Sequence, residues 1–233
     1  MSSEPALILF DCDGTMTDSH GIIVQAMQAA FQQAGLNAPE HQAVCDIIGL
    51  SLTQAIRRLI VTDQSNKPAL QQHIAEAYRQ HYILLEDQVE LFPHVRQTLE
   101  RLRASGYWLG VVTGKSKAGL KRVLQRFDLN DLFYVLRTAD CTHSKPHPAM
   151  VLECMQELGI TAEQTCVVGD AVFDIQMAKA ASVQALGVSF GVASSTELMQ
   201  AGASHVVTDF SDLLNFFPHL QDASLSPTMA DHT

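Results

Sequence analysis

Asp11 and Asp13 stand one residue apart, directly after the apolar run Leu7-Ile8-Leu9-Phe10 and just before Gly14 and Thr15. Like charges this close raise each other's pKa unless a cation offsets them. A third acid, Asp170, follows another apolar run, Cys166-Val-Val168 and Gly169. Three carboxylates meeting at one crevice call for a hard divalent ion. Mg²⁺ commonly takes one or two protein carboxylates together with waters and a substrate phosphate, so Asp11, Asp170 and the backbone carbonyl of Asp13 would make a suitable partial shell.

Such a set suits phosphate-ester hydrolysis, one of the slowest uncatalysed reactions and one that demands heavy charge compensation. Lys145, in the loop Thr142 to Pro148, and the pair Thr113 and Gly114 supply a cation, a hydroxyl and a backbone N–H for phosphoryl oxygens. A carboxylate can then attack phosphorus, and Asp13 is placed to pass a proton to the leaving alcohol. Cys12 lies between acids that would raise its pKa, and alternation along an extended segment turns it toward the core. A cysteine phosphatase would need an arginine six residues after its nucleophile; none of the five cysteines has one.

The elements that must position these groups follow from periodicity. Short, nearly continuous apolar runs at 7–10, 108–112, 133–136, 166–168, 183–188 and 205–207 alternate with amphipathic stretches at 95–104, 120–127, 151–158 and 175–181. That alternation predicts a parallel sheet covered on both faces, an α/β core. Between the first two strands, helical spacing at 22–34, 52–60 and 70–85 predicts an inserted helical block. In such sheets the ligand site lies off the carboxyl ends of the strands, where Asp11, Asp13, Thr113, Gly114 and Asp170 fall. The expected division is a core from 1–18 and 91–217, a cap from 19–90 and a loose tail at 218–233.

A net charge of −10 disfavours nucleic acid or an anionic membrane as partner. No apolar run is long enough to span a bilayer, and no signal-peptide pattern opens the chain; a cytoplasmic protein acting on a small phosphate ester is expected. The odd number of scattered cysteines fits reduced thiols. Cys141, His143 and His147 lie close in sequence, but their irregular spacing favours loop residues over a zinc site. His20 is expected to face solvent beside the first motif.

Four motifs in order resemble the haloacid dehalogenase-like hydrolase superfamily, in its phosphatase branch with a helical cap. They are Asp11-Cys-Asp13-Gly14-Thr15-Met-Thr-Asp18-Ser19, Val111-Val112-Thr113-Gly114, Ser144-Lys145-Pro146-His-Pro148 and Gly169-Asp170-Ala171-Val-Phe-Asp174-Ile175. The resemblance implies a Rossmann-like sheet, Mg²⁺ as cofactor, Asp11 as nucleophile and Asp13 as general acid/base. It also implies Thr113, Gly114 and Lys145 as phosphate binders, Asp170 as metal ligand, and Asp174 as an acid that reaches the metal through water or holds Lys145. The overall pattern is most similar to phosphoglycolate phosphatases; a sugar phosphomutase, a pyrophosphatase and a non-catalytic binding protein of the same fold are the alternatives. The chain departs from the pattern at Ala171, where relatives carry Ser or Thr, and at His94 and Ser182, where they carry Gly.

Overall fold

A computed structural model describes residues 6–60 and 67–217; the expected tail at 218–233 lies outside them. The elements run β1 Leu7–Phe10, β2 Thr17–Asp18, α1 His20–Gln33, α2 His41–Cys45, α3 Leu52–Leu59 and α4 Pro68–Leu85. Then come β3 Glu90–Leu91, α5 Val95–Ala104, β4 Trp108–Thr113, α6 Lys117–Arg126, β5 Val135–Thr138 and α7 Ala149–Leu158. The chain continues with β6 Thr165–Gly169, α8 Val172–Ala180, β7 Gln184–Val188, α9 Ser195–Ala201 and β8 His205–Val207. Six strands pair in parallel in the order β5-β4-β1-β6-β7-β8, which puts the strand carrying Asp11 in the interior of a Rossmann-like sheet.

The period of two along β1 decides which apolar layer each residue enters. Ile8 and Phe10 join one layer with Leu109, Val111 and Val168, and Leu7 and Leu9 join the other with Val112, Val135 and Val167. Each such side chain contributes about 1.5–3 kcal/mol when fully buried. Cys12 continues the first layer and is wholly buried there, as its parity predicts.

α1, α3 and α4 bury their apolar stripes in a separate cluster that includes Met27, Phe31, Ile56 and Ile74. Ser51 caps the start of α3 by accepting the Gln54 N–H. The chain leaves the sheet through β2 and returns through β3, and the two crossings pair antiparallel, Thr17 with Leu91 and Asp18 with Glu90. Among the described residues no helix is long and apolar enough to cross a membrane.

Several elements differ from expectation. The strand expected at 133–136 is shifted to Val135–Thr138, because pairing with β4 begins at Gly110 opposite Val135. The turn residues His94 and Ser182 both take left-handed backbone conformations, with φ of 66° and 59°. That conformation costs a non-glycine residue about 1–2 kcal/mol, and a glycine gives back part of the relief as extra entropy in the unfolded chain. Ser182 is exposed and its N–H, bonded to the Lys179 carbonyl, survives substitution. Ser182→Gly is therefore expected to stabilise by about 0.5–1 kcal/mol, which raises Tm by about 1–4 °C in a calorimetric scan. An unchanged or lower Tm would show that the strain is absorbed elsewhere.

Candidate active site

β1 delivers Asp11, and the turn after it is fixed by the Gly14 N–H donating to the Thr17 carbonyl and the Met16 N–H donating to that of Cys12. β4 delivers Thr113 and β6 delivers Asp170; all three side chains are buried. One carboxylate oxygen each from Asp11, Asp170 and Asp174 lie within 4.8 Å of one another. Lys145 is fully buried among them, its Nζ 2.7 Å from Asp11 Oδ1 and 2.6 Å from Asp174 Oδ1.

Both oxygens of Asp170 are oriented: Thr15 donates its hydroxyl to Oδ1 at 2.7 Å and Val192 donates its N–H to Oδ2 at 2.9 Å. Asp174, in the first turn of α8, accepts the Ala171 N–H at 3.0 Å. The alanine has no hydroxyl to return the bond, so this cap is half of a reciprocal pair.

Burial pushes the Asp11 carboxyl up to about 8; Lys145 pulls against that shift, and Asp174 and Asp170 reinforce it. Burial also raises Asp174, again against Lys145. Two carboxylates facing one ammonium leave an excess of negative charge, and all the donor atoms are hard oxygens. The set therefore fits a small divalent cation.

Asp13 has a different environment. Burial acts to raise its carboxyl, but Lys115, Ser19 and His20 together outweigh burial and hold it below the usual range. Lys115 Nζ donates to both Asp13 oxygens at 2.7 and 2.8 Å, and the Ser19 hydroxyl donates to Oδ1 at 2.5 Å. Neither partner was singled out from the sequence. A charge tally could have found Lys115, since Lys145 alone leaves Asp13 without a cation, and Lys115 follows Thr113-Gly114 directly.

His20 is a correction. Expected to face solvent, it turns inward with its side chain 18% exposed and Nε2 3.6 Å from Asp170 Oδ2. The reason is electrostatic: burial acts to lower its pKa, but Asp170, Asp13 and Asp18 together raise it. His143 and His147 are exposed and stack on each other at 4.4 Å, and neither belongs to the acidic cluster.

A cavity of about 370 Å³ opens between the sheet and the helical block, with Asp11, Asp13, Thr113 and Gly114 among its lining residues. Lys145 and Asp170 do not line it; they lie beneath Asp11. Its other walls include Ile23, Met27, Ile48, Leu50, Tyr78 and Tyr82. Gly114 passes so close to the 49–50 loop that a methyl group there would lie 2.5 Å from the Leu50 carbonyl oxygen. Only a residue without a side chain lets the two segments meet.

Residues 8–188 match the family model of the haloacid dehalogenase-like hydrolases, well over half of the chain. The chain belongs to that family. A probable phosphatase, IndB, of Dickeya dadantii is 32% identical over 95% of this chain and 97% of the relative. A pyrophosphatase, PpaX, of Oceanobacillus iheyensis is 29% identical over 89% and 94%, and a phosphoglycolate phosphatase of Pseudomonas putida is 28% identical over 97% and 84%. Among solved structures, a predicted phosphoglycolate phosphatase from Haemophilus somnus superposes with a TM-score of 0.82 at 25% identity, covering 91% of this chain and 98% of that one. The protein is thus an enzyme, a haloacid dehalogenase-type phosphatase, and the family and α/β fold expected from its four motifs are those found.

Proposed function

We propose that the protein is a Mg²⁺-dependent phosphomonoesterase that hydrolyses a small phosphorylated metabolite through an aspartyl-phosphate on Asp11, in the cytoplasm. The observation that carries this reading is the placement of Asp11: it is buried, paired with Lys145, grouped with two other acids, and set at the cavity floor beside Asp13. We take residues 19–90 as a cap over a core of 1–18 and 91–217.

Asp11, Asp170 and the backbone carbonyl of Asp13 would hold the metal. When bound, Mg²⁺ supplies charge neutralisation for the acids and for the phosphoryl oxygens. The Thr113 hydroxyl and Gly114 N–H donate to the phosphoryl group at the cavity floor. An Asp11 oxygen attacks phosphorus, the bond from phosphorus to the leaving oxygen breaks, and Asp13, ionised against Lys115 in the free site, relays to that oxygen the proton that a monoanionic ester brings. Lys145, held against Asp11 Oδ1, offsets negative charge beneath the floor, and Asp174 fixes the Lys145 head. Asp13 then takes a proton from water as the water attacks the phosphorus; phosphate leaves and Asp11 is restored.

Phosphoglycolate is the first substrate to test, since several relatives carry that name. The apolar and aromatic walls favour an ester with a carbon body over inorganic pyrophosphate, which has no apolar surface to bury. With Mg²⁺, phosphate release from a panel of metabolite esters is expected, with phosphoglycolate ahead of pyrophosphate in kcat/KM. No turnover on any ester would overturn the enzymatic reading, and a preference for pyrophosphate would overturn the substrate reading. Chelation with EDTA should abolish release. In the absence of substrate, Mg²⁺ at about a hundred times its Kd should stabilise by about 2.7 kcal/mol, raising Tm by roughly 5–10 °C; an unshifted Tm would count against a metal at the acidic cluster.

A further inference from the structure

Lys115 touches both sides of the cavity at once. It belongs to the loop after β4, yet its Nζ donates to a residue of the helical block, the Tyr82 hydroxyl of α4, 2.9 Å away. The ammonium also sits 4.8 Å from the centre of the Tyr82 ring, within cation–π range. Its remaining capacity goes to the two oxygens of Asp13, and its side chain is only 8% exposed. On the far side of Asp13 stands Ser19, immediately before α1.

The contacts form a continuous path from α4 through Tyr82, Lys115 and Asp13 to Ser19 and α1, crossing the boundary between helices and sheet twice. Tyr82 is itself fixed, being 7% exposed and tilted against Tyr78 at 5.8 Å. A lysine needed only to neutralise Asp13 could do so from solvent. Here the ammonium is enclosed and its position is set by a side chain on α4. Hydrogen bonds to a charged partner are among the stronger ones in proteins, enough to determine where a short carboxylate points.

We propose that Tyr82 and Lys115 form a latch through which the seating of α4 positions the Asp13 carboxylate at the cavity floor. Lys115 is then a positioning residue, acting through Asp13, and Tyr82 is its contact with the helical block. The inference rests on the proposed role of Asp13 as acid/base, and adds that this role depends on where α4 sits.

A double-mutant cycle on p-nitrophenyl phosphate with Mg²⁺ tests the coupling. Lys115→Met is expected to lower kcat by about 30-fold with KM changed less than about 3-fold, and Lys115→Arg to recover part of the loss. Tyr82→Phe, which removes one hydroxyl, is expected to lower kcat by about 3- to 10-fold in the native background but by less than about 1.5-fold when Lys115 is already Met. Equal Tyr82 effects in both backgrounds, or a change confined to KM, would overturn the latch. Amide hydrogen exchange gives a readout that needs no turnover. Faster exchange in α4 and at 17–18 and 90–91 is expected in Tyr82→Phe and Lys115→Met, with β1 and β6 unchanged. Unaltered exchange at α4 would sink the latch even if the phosphatase reading stands. Faster exchange in β1 and β6 as well would also overturn it, because Lys115 would then support the whole fold. If no ester is turned over, exchange alone decides the latch, so the two readings fail separately.

Discussion

Asp11→Asn is expected to eliminate phosphoenzyme formation and lower turnover by at least about 10⁴-fold, while leaving a folded and more stable protein. The loss follows because an amide oxygen cannot serve as the attacking carboxylate. The gain in stability follows from burial, which raises the Asp11 carboxyl to about 8, the Lys145 ion pair notwithstanding. A carboxyl whose folded pKa is raised binds its proton more tightly in the folded state. Its contribution is therefore present below about pH 4 and is lost as pH rises toward 8. In EDTA the stability advantage of the asparagine variant should widen between pH 5 and pH 8. Retained phosphoenzyme in rapid-quench labelling would refute the nucleophile, and a Tm below that of the native chain at pH 8 would refute the electrostatic account.

Lys145→Met is the most destabilising single change expected. The ammonium is wholly buried and offsets two buried carboxylates, at 2.7 and 2.6 Å. Removing one member of a buried pair leaves an uncompensated charge, at a cost of about 3–5 kcal/mol. Tm should fall by roughly 10 °C. Adding Asp174→Asn to Lys145→Met should recover a substantial part, since it removes one of the charges left behind. Adding Glu157→Gln, far from the cluster on α7, should recover nothing. If the two double variants behaved alike, the loss would come from packing rather than charge.

The four motifs made the site legible because their polar residues sit where strands end, and apolar runs mark strand ends well. Asp11, Thr113 and Asp170 are brought together by three neighbouring strands, β4, β1 and β6, whose parallel order follows from the alternation of elements. Side chains that reach across from another element were not legible in this way. Tyr82 was visible only as one apolar member of the helical spacing at 70–85, and His20 only as a residue beside the first motif that was expected to face solvent. Neither signal says that the side chain turns toward the acids.

α2 spans five residues and buries only Val44, too little for periodicity to register. α9 did leave a sign: Ser194 and Glu197 form a reciprocal capping box, with the serine accepting the Glu197 N–H and the glutamate accepting that of Ser194. His94 and Ser182 carry a plainer lesson. Each was noted as a replacement for glycine, and each keeps the left-handed turn that glycine would have adopted without strain.

The two-residue ladder of β2 and β3 brings the two ends of the helical insert side by side. Paired residues across an antiparallel ladder lie about 4.5–5.5 Å apart, a gap that a two-residue turn can bridge. The chain therefore enters and leaves the insert at one doorway, and beyond it side chains meet the core again, Lys115 donating to the Tyr82 hydroxyl and the Ser51 N–H to the Ser144 hydroxyl. Exchanging everything between Asp18 and Glu90 for a turn, or for a different helical block, would keep Asp11, Thr113, Lys145 and Asp170 on their own supports. It would remove walls of the cavity together with Ser19 and Tyr82, so Asp11 is supported from the core alone while the contacts that hold Lys115 and Asp13 are shared with the insert.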